Sequence, residues 1–561
     1  MKTNSRIISS IIITLALFLY QVTNAQSVMD PSDPLVNYNS SAPPTQPAWG
    51  QIGKWVRTPL LNWTTTSYKA YIYKGFQFRL KFPKTYNPTA NDGKKYPLFV
   101  FFHGLGETGT IYQNEKQLLH GGQFFRDKVD NGSFDGYLLY PQSGGFWGTG
   151  QFDLVREIID YMIVNNKVDP FQIIDNGLSA GGAATWEMLF RHPTYIAAAL
   201  PMSDAQISYR NNANLVKFTP MWIFQGGLDG SPDPYTTEQV RDAILNVGGN
   251  FKYTLYPNIG HGTWNTAWAE PDFIPYMLRA YSSNPWPLFG RSEFCPGDPI
   301  NVTIGLTAGF DQYEWRKNGV LIPGATTNTI QVSGATAIGV YSARVRRGSY
   351  WSDWSRTPVE IKIKAPTVPP TISIAGLMSK VIPALDGNNG VTLQVPTGYT
   401  SYLWQREGSS ATIGTTNTLN ATTPGSYKVR VTEQFGCSTE FSTLFGVVDA
   451  NGPNKPDPAI NLIITTLSKT SLRLDWSDNP APQYNETNFE VYRASQAGGP
   501  YTLLAILNAD VLTYTSTGLN ANTKYFYKVR AVNNTGAAAA SNEANGTTAA
   551  DTQAPTAPTN L

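Results

Sequence analysis

Cysteine is scarce in this 561-residue chain, which contains only Cys295 and Cys437. Two cysteines cannot build a disulfide framework, and these two lack the spacing of a metal site. The chain also lacks a zinc-protease helix motif, a P-loop and a dinucleotide-binding glycine fingerprint. We therefore expect no metal and no cofactor. Whether the two cysteines pair stays open, because an interdomain bridge and two buried free thiols are alternative outcomes in an oxidising compartment.

Long apolar runs are confined to the amino terminus. Residues 1–25 contain Lys2 and Arg6, then an apolar stretch over residues 7–20, and end at Ala25. This is the pattern of a signal peptide that is cleaved after Ala25. No later stretch has about 18 consecutive apolar residues, which is the minimum for a spanning helix. We therefore expect a secreted, extracellular protein without membrane insertion.

Neither sign of charge dominates the chain. Lys and Arg number 42 and Asp and Glu number 40, and removal of residues 1–25 takes two basic residues away. A neutral chain lacks the positive surface that attracts nucleic acid, so no nucleic-acid partner is expected. Charged residues make up only 15% of the chain and aromatic residues 12%. That balance is typical of an extracellular protein with several β-rich cores and carbohydrate contacts.

The stretch Gly177-Leu178-Ser179-Ala180-Gly181 stands between an apolar run at 171–174 and a helical pattern at 183–190. The order strand, tight turn and helix is that of a nucleophile elbow. In such an elbow, glycines on either side of the serine let backbone segments approach closely, so that a strained turn exposes the hydroxyl above a sheet. A tight turn without chemistry is the alternative interpretation.

Histidine is also scarce, which narrows the choice of a general base. The four histidines are His103, His120, His192 and His261. In an elbow-type hydrolase the acid and then the histidine follow the serine along the chain, so only the last two qualify. His192 lies near the end of the helix that follows the elbow, where a histidine usually caps the helix rather than reaching the serine. His261 lies in a glycine-flanked turn after a strand, and we predict that it is the general base.

The acid of the triad is expected between the serine and His261, directly after a strand. Asp229 follows the apolar run 221–224, and an aspartate there would orient the imidazole and stabilise its charged form. Asp233 is the main competitor and Asp204 is a weaker one. The alternative for Asp229 is an ordinary turn residue before glycine.

A second glycine-rich segment, residues 103–107, follows the buried apolar run 96–102. Acyl transfer needs N–H groups that point at the oxygen of the tetrahedral intermediate. A turn here would present the Leu105 N–H, and Ala180, which follows the serine, would supply the other donor. An ordinary glycine turn after a strand is the alternative.

Strand and helix patterns alternate through this part of the chain. Strands are predicted at 71–80, 96–102, 137–140, 171–174, 197–200, 221–224 and 251–256, and helices at 152–163, 183–190 and 237–245. The first strand alternates as a half-exposed strand does, and the second is apolar throughout, as in a buried strand. The alternation predicts an α/β fold with a doubly wound, mostly parallel sheet, and function at the carboxyl ends of its strands.

Residues 70–282 resemble the secreted esterases and predicted peptidases of the α/β-hydrolase superfamily, close to carbohydrate esterase family 1 with its feruloyl and acetylxylan esterases. The matching pieces are residues 102–107, 114–121, 140–142 with Trp147, 169–170, 177–182 with 185–186, 220–224 and 260–264. The resemblance implies a Ser179 nucleophile, an Asp229 acid and a His261 base, with oxyanion donors at Leu105 and Ala180. The sequence departs from the family pattern at Gln225 and Gly262, outside the triad.

Gln142, Trp147 and Trp264 match positions at the mouth of the family's active site. The resemblance implies that they contact substrate, and an aromatic wall there would stack on a sugar or an aromatic acyl group. For the two tryptophans, packing in the core is an equal alternative.

From about residue 291 the helical patterns stop and all-β modules begin. An internal repeat pairs Tyr313-Glu-Trp315 with Tyr402-Leu-Trp404, and each is followed by a Gly-x-Tyr strand. The pattern resembles immunoglobulin-like sandwiches, in which the tryptophan fills the core. We expect two such modules, over residues 291–365 and 366–450.

Residues 455–548 resemble a fibronectin type III domain, with Tyr525 at the position of the tyrosine corner. Residues 549–561 look like a linker and the start of another such module. We expect any cell-surface attachment segment to lie beyond residue 561.

Together these patterns predict a signal peptide at 1–25, an irregular arm at 26–54, a catalytic domain at 55–290 and β-modules that act as spacers. We expect a secreted serine ester hydrolase that removes acetyl or hydroxycinnamoyl groups from extracellular polysaccharide. A serine peptidase of the prolyl oligopeptidase type is one alternative, because the same catalytic groups hydrolyse both amides and esters. A non-catalytic surface-binding protein is the other.

Overall fold

The computed structural model describes residues 29–478 and 484–552. The predicted signal peptide and residues 553–561 lie outside this part of the chain. One compact unit comprises Asp298–Ile363 together with the described residues up to Phe294, and the other comprises Cys295–Gly297 and the described residues from Lys364 onward. No helix of the described residues is long and apolar enough to cross a membrane.

A nine-stranded sheet forms the centre of the first unit. Its strands in chain order are β1 Ile52–Lys54, β2 Tyr68–Tyr73, β3 Phe76–Lys81, β4 Tyr96–Phe102, β5 Tyr137–Pro141, β6 Val168–Leu178, β7 Ala198–Met202, β8 Met221–Gly226 and β9 Phe251–Tyr256. Their order across the sheet is β9-β8-β7-β6-β4-β5-β3-β2-β1. Strands β4 to β9 are parallel to their neighbours among themselves, whereas β1 to β3 pair in antiparallel fashion at one edge. The carboxyl ends of six strands therefore meet along one edge.

Helices pack on both faces of this sheet. They are α1 Gly122–Asp130, α2 Thr149–Asn165, α3 Ala180–Arg191, α4 Ala213–Val216, α5 Pro234–Asn246, α6 Trp264–Trp268 and α7 Phe273–Arg279. Along β4, Leu98, Val100 and Phe102 belong to a core with α2, α3 and α5, while Phe99 and Phe101 belong to a core with α1, α6 and α7. Because side chains alternate along a strand, an apolar run such as β4 fills both cores.

The expected single strand at 71–80 is wrong. The chain forms a hairpin of β2 and β3 around Lys74 and Gly75, which have φ of 49° and 73°. Positive φ at both central residues gives the turn a twist that matches the paired strands. Every residue of β3 is buried, because β3 lies between β2 and β5 rather than at a half-exposed edge.

The amino-terminal arm is also more regular than expected. Within residues 29–54, the segment Ile52–Lys54 is the edge strand β1 of the main sheet. The short strand Val36–Asn37 pairs in parallel with Val56–Arg57. The buried Asp33 accepts a hydrogen bond from the Tyr71 hydroxyl at 2.7 Å. The arm is thus anchored by long-range pairing, which its proline- and serine-rich composition does not reveal.

Asp175 on β6 is fully buried, and neither of its carboxyl oxygens has a hydrogen-bond partner among the described residues. Burial raises the pKa of this carboxyl well above its usual range, because the charged form is poorly solvated there. The group therefore favours folding in its protonated form. The stability that depends on the protonated Asp175 carboxyl is fully present below the unfolded pKa of about 4, and it is lost as pH rises through the folded pKa.

Asp175→Asn is expected to raise the free energy of unfolding at pH 8 by about 1–3 kcal/mol, because it removes the cost of a buried charge or of holding its proton. At pH 4 the two proteins are expected to differ little. Urea unfolding at a series of pH values measures this, with the exposed Asp242→Asn as the matched control. Parallel pH profiles for wild type and Asp175→Asn would contradict the assignment.

The first β-sandwich belongs to the same compact unit as the nine-stranded sheet. Its strands are Trp286–Pro287, Asn301–Gly305 and Thr329–Ser333 in one sheet, and Glu293–Phe294, Val359–Ile363, Gly339–Arg347, Gln312–Lys317, Val320–Leu321 and Tyr350–Trp351 in the other. Trp315 fills its core as predicted, with an exposed fraction of 0%. Phe171 of β6 and Tyr281 are buried in that same core.

Polar contacts reinforce this packing. Arg347 donates hydrogen bonds to the carbonyl oxygens of Thr194 and Pro170, and the Arg356 guanidinium lies 2.8 Å from the carboxylate of Asp169. The module thus shares buried residues with the nine-stranded sheet, which a spacer with a core entirely of its own would not do. It packs against the start of β6, whose other end leads into the elbow at Ser179.

Ending the chain at residue 290 is expected to lower the free energy of unfolding by at least about 3 kcal/mol, because Phe171 and Tyr281 lose their cover and Asp169 its partner. A chain that ends at residue 363, with Cys295→Ser, should keep the stability of the first unit. Urea unfolding of both measures the difference. Equal stability of the two shortened chains would restore the spacer interpretation.

The second unit contains two further sandwiches. The strands of the first are Ser373–Ile374, Val391–Gln394 and Thr418–Ala421, facing Val381–Ile382, Phe445–Asp449, Gly425–Thr432 and Ser401–Arg406. The strands of the second are Ile460–Ser468, Ser471–Ser477 and Thr513–Ser516, facing Thr502–Asn508, Asn488–Ala494, Lys524–Val532 and Ala544–Thr547. The Tyr525 hydroxyl accepts a hydrogen bond from the Asn520 N–H at 3.1 Å, as at a tyrosine corner.

The internal repeat has the same hydrogen bond in both copies. The indole N–H of Trp315 donates to the Thr327 carbonyl oxygen, and that of Trp404 donates to the Thr416 carbonyl oxygen.

The two cysteines are paired, because Cys295 and Cys437 form a disulfide across 142 residues of sequence. Sequence alone could not decide this, since no local spacing brings them together.

Candidate active site

The elbow at Ser179 has the backbone geometry that its glycines predict. Ser179 has φ of 54° and ψ of −123°, a conformation that non-glycine residues rarely adopt. A Cβ at Gly177 would lie 2.1 Å from the Gly181 carbonyl oxygen, and one at Gly181 would lie 1.9 Å from the Phe102 carbonyl oxygen. Larger residues are sterically excluded at both positions. The turn thus joins β6 directly to α3 and presents the serine at the carboxyl edge of the sheet.

Ser179, His261 and Asp229 form one hydrogen-bonded line. His261 Nε2 lies 2.8 Å from Ser179 Oγ, and His261 Nδ1 lies 2.8 Å from Asp229 Oδ2. The Asp229 side chain is only 3% exposed, whereas that of His261 is 41% exposed. The buried carboxylate fixes the tautomer with the proton on Nδ1, which leaves Nε2 as an acceptor for the serine proton.

The structure separates Asp229 from its two competitors. Asp233 is fully exposed and caps helix α5, where its carboxylate accepts the Thr236 N–H at 2.7 Å. Asp204 is largely buried, and burial together with the charge of Asp229 raises its pKa to about 7. No hydrogen bond joins Asp204 to His261 among the described residues. His192 pairs instead with Asp153 at 3.1 Å, at the far end of α3.

Two further residues hold the triad loops, and sequence reasoning missed one of them. The Ser203 hydroxyl donates to the His261 carbonyl oxygen at 2.5 Å and lies 2.7 Å from the Thr263 hydroxyl. Gln225, noted only as a departure from the family pattern, donates to the Pro232 carbonyl oxygen and accepts from the Thr237 hydroxyl. Ser203 directly follows β7. Its position at the carboxyl end of a strand was the sequence feature that could have marked it as a residue near the site.

Leu105 and Ala180 each begin a helix. Leu105 is the first residue of the 3₁₀ helix Leu105–Glu107, and Ala180 is the first residue of α3. The first N–H groups of a helix have no acceptor within it, so both are suited to bind an oxyanion. A Cβ at Gly104 would lie 2.7 Å from Cδ1 of Leu178, which shows how closely the turn packs on the elbow.

The His103 ring contacts the backbone of the turn at residues 103–107 and that of Ser143. Its Nδ1 lies 2.7 Å from the Gly104 carbonyl oxygen, and its Nε2 lies 2.9 Å from the Ser143 nitrogen, which has only a proton to offer. The ring is therefore a neutral tautomer that donates from Nδ1 and accepts at Nε2. Burial lowers its pKa to about 4, consistent with a neutral ring at neutral pH.

Gln142, which was predicted to contact substrate, packs against the turn at residues 103–107, and only 3% of its surface is exposed. Its amide nitrogen donates to the Glu107 carbonyl oxygen at 2.7 Å. A buried amide engaged in this way has little surface left for a substrate. Its position is that of a support for the turn.

The two tryptophans that were predicted to contact substrate, Trp147 and Trp264, have different neighbours. Trp147 packs on His103 and Phe102, and its indole donates to the His103 carbonyl oxygen at 3.0 Å. It also lines a pocket of about 320 Å³ that includes Ala180. The ring of Trp264 lies 6.1 Å from that of His261, centre to centre. Both tryptophans are partly exposed, so each combines packing with an accessible face.

At the carboxyl edge of the parallel sheet, hydrogen bonds thus connect a serine to a histidine and the histidine to an aspartate, which is the geometry that activation of a serine hydroxyl requires. Residues 455–547 match the family model for the fibronectin type III domain, and this part of the chain is a fibronectin type III domain.

Several solved structures are similar to parts of the chain. A thermostable esterase is 24% identical with a TM-score of 0.34, and the match covers 38% of this chain and 63% of the esterase. A ferulic acid esterase is 16% identical with a TM-score of 0.29, over 36% of this chain and 93% of the other. A fibronectin-like protein from Clostridium thermocellum is 30% identical with a TM-score of 0.15, over 17% of this chain and 95% of the other.

Proposed function

We propose that this protein is a secreted serine carboxylic ester hydrolase of the α/β-hydrolase type, with a doubly wound catalytic sheet. The observation that carries the proposal is the continuous hydrogen-bonded line from Ser179 through His261 to Asp229. The strained backbone at Ser179 and the position of Leu105 and Ala180 at the first residue of a helix support the proposal. Each part serves a distinct need of acyl transfer.

In the proposed reaction, Ser179 Oγ attacks the ester carbonyl carbon while His261 Nε2 takes its proton. The N–H groups of Leu105 and Ala180 bind the oxygen of the tetrahedral intermediate, and His261 then returns the proton to the leaving alcohol. Water repeats the sequence on the acyl-enzyme and releases the acid. Asp229 holds the imidazole and stabilises its charged form throughout, as in other triads.

The pocket beside Ala180 is the proposed acyl site. Its lining combines aromatic residues, small residues of α3 and polar residues, and it consists of Phe146, Trp147, Gly148, Thr149, Phe152, Ala180, Ala183, Ala184, Glu187, Gln206 and Tyr209. The residues Ala180, Ala183, Ala184 and Glu187 share one face of α3, because they follow the helical period. A flat acyl group with a polar end, such as hydroxycinnamoyl, fits this lining, and acetyl fits with room to spare.

Extracellular polysaccharide is the proposed carrier of these ester groups. Trp264 beside His261 offers a partly exposed aromatic face on which a sugar ring can stack. The proposal requires no cofactor for the reaction. The β-modules of the second unit are proposed to hold the enzyme near an insoluble substrate, which raises the local substrate concentration without changing the site.

The catalytic efficiency kcat/KM on acetyl or hydroxycinnamoyl esters of xylan fragments is expected to exceed that on long-chain acyl esters and peptide amides at least about a hundredfold. This ratio corresponds to about 3 kcal/mol of transition-state discrimination. A panel of acetylated xylan fragments, methyl ferulate, a long-chain acyl ester and a prolyl peptide measures it. Preference for the peptide would favour a serine peptidase, and no turnover of any substrate would favour a non-catalytic binding protein.

A further inference from the structure

Arginine and tryptophan side chains alternate in a stack on the first sandwich, outside the candidate active site. The guanidinium carbon of Arg316 lies 3.7 Å from the centre of the Trp354 ring. That of Arg344 lies 5.1 Å from the Trp354 ring and 4.6 Å from the Trp351 ring, and that of Arg346 lies 5.9 Å from the Trp351 ring. Each distance is within the range of a cation–π contact. We call these five residues, which are all partly exposed, the arginine–tryptophan ladder.

The strands place the three arginines on the outer face of one sheet. In the strand Gly339–Arg347, alternate residues are buried, so that Arg344 and Arg346 point away from the core. Arg316 lies opposite Ser342 in the neighbouring strand, which puts it on the same face. Side chains on one face of a strand repeat about every 7 Å, so the three arginines form a row along the strand direction.

The segment that carries the tryptophans is bound to the same strand. The Ser352 hydroxyl accepts a hydrogen bond from the Val345 N–H at 3.0 Å, and the Ser355 hydroxyl accepts one from the Ala343 N–H at 2.6 Å. The repeated Trp-Ser pair in residues 351–355 therefore anchors its serines to the strand edge and holds both indoles beside the arginines. Stacking on these rings restricts the guanidinium groups before any ligand binds.

Among the described residues, two of the three guanidinium groups have no anionic partner. Arg344 forms an ion pair with Glu314 at 2.7 Å. The guanidinium groups of Arg316 and Arg346 have neither a hydrogen-bond acceptor nor an ion-pair partner in the described part of the chain, and Nε of Arg346 is buried in that state. Arg316 and Arg346 are the two ends of the ladder.

The carboxylates that flank this face have other partners. Glu293 and Glu360 contact Lys362, Asp353 lies 3.7 Å from Arg356, and Asp311 accepts the Gly348 N–H. The positive charge at the two ends of the ladder is therefore not compensated by the protein.

The chemistry of the ladder selects the kind of ligand. A guanidinium group binds a carboxylate or a phosphate through two parallel hydrogen bonds. Nucleic acid is disfavoured, because proteins that bind it commonly contact about 6–10 phosphates, whereas this face offers two free guanidinium groups on a chain with a net charge of +2. A linear polysaccharide with carboxylates along its length can reach both ends of the ladder at once, and two linked contacts bind more tightly than one.

We propose that the arginine–tryptophan ladder binds polysaccharide that carries uronic-acid carboxylates, through the guanidinium groups of Arg316 and Arg346. The indoles hold these groups in place, so that less conformational freedom is lost on binding. The inference goes beyond the proposed function, because binding at this face requires no ester hydrolysis.

Isothermal titration of the full chain with a long oligogalacturonate at low salt measures the binding. Arg316→Gln and Arg346→Gln are each expected to weaken it about threefold to fivefold, and the double variant at least about tenfold, because each removes one partly exposed ion pair with the ligand. Neutral xylan and monomeric galacturonate should bind much more weakly. The matched control is Arg241→Gln on helix α5, where an arginine also packs on an aromatic ring, and it should bind as wild type does.

Glu314→Gln is the complementary variant. It releases Arg344 from its ion pair and adds a third free guanidinium group, so that binding is expected to strengthen about threefold. Glu238→Gln, which removes the same charge from an ion pair on α5, is its control and should have no effect. Melting temperatures show that each variant is folded. Arg316→Lys, which keeps the charge and should stay within about threefold of wild type, covers the case in which Arg316→Gln does not fold.

The inference is overturned if oligogalacturonate does not bind, if the double variant binds as well as Arg241→Gln, or if neutral xylan binds as tightly. Tighter binding of double-stranded DNA or of dextran sulfate at the same salt concentration would also overturn it, in favour of a phosphate or sulfate ligand. Turnover of a soluble acetyl ester is measured in parallel. Binding without turnover would contradict the proposed function alone, and turnover without binding would contradict this inference alone.

Discussion

Ser179→Ala is expected to lower kcat on a short chromogenic acyl ester by about a million-fold, which leaves only the weak residual catalysis that the oxyanion donors and substrate binding provide. The variant lacks the nucleophile, and the histidine and aspartate achieve little without it, because triad residues act as a unit. The fold should be unchanged, since alanine keeps the Cβ and the same backbone conformation at φ of 54°. Steady-state kinetics and circular dichroism measure the two quantities.

Ser133→Ala, an exposed serine in a loop, is the matched control and should retain wild-type turnover. A serine-directed organophosphonate should label wild type at one residue and leave Ser179→Ala unlabelled, which peptide mass spectrometry can establish. Comparable ester turnover by Ser179→Ala and wild type would remove Ser179 from the proposed mechanism.

Asp229→Asn is expected to lower kcat by about ten-thousand-fold. An amide in place of the buried carboxylate donates a hydrogen to His261 Nδ1, so that the imidazole proton moves to Nε2 and can no longer accept from Ser179. The geometry of the line should otherwise persist, because the amide has the same shape.

Asp233→Asn is the matched control, four residues further along the same loop. Asp233 caps helix α5, and asparagine caps a helix about as well as aspartate, so both stability and turnover should stay close to wild type. Kinetics of both variants on one ester decide the assignment. A larger loss for Asp233→Asn than for Asp229→Asn would mean that the acid has been placed wrongly.

The candidate triad could be predicted because its constraints are local or depend on chain order. A glycine two residues before and after Ser179 is needed wherever a strand turns sharply into a helix, and four histidines left few bases to choose from. The choice between Asp229 and Asp233 was harder. It depended on the residue at which β8 ends, which sequence patterns locate poorly. In addition, an aspartate that caps a helix cannot be told from the acid of a triad by sequence alone.

The misjudged elements share a different cause. The turn at Lys74 and Gly75 was missed because apolar residues continue on both sides of it, so alternation alone suggested one strand. The role of Gln142 was misplaced because nothing local shows that its amide faces the backbone of residues 103–107 rather than the solvent.

The elbow and most of the order of strands and helices could be predicted from the sequence alone, because they follow from periodicity and turn chemistry within short stretches. The tryptophan-centred sandwiches and the fibronectin type III domain were predicted from their resemblance to known modules. Only the tertiary structure decided that Cys295 meets Cys437, that Phe171 lies in the core of the first sandwich and that His120 meets Glu107. These contacts join residues far apart in the chain. Their formation depends on how whole elements pack, and no local pattern records that packing.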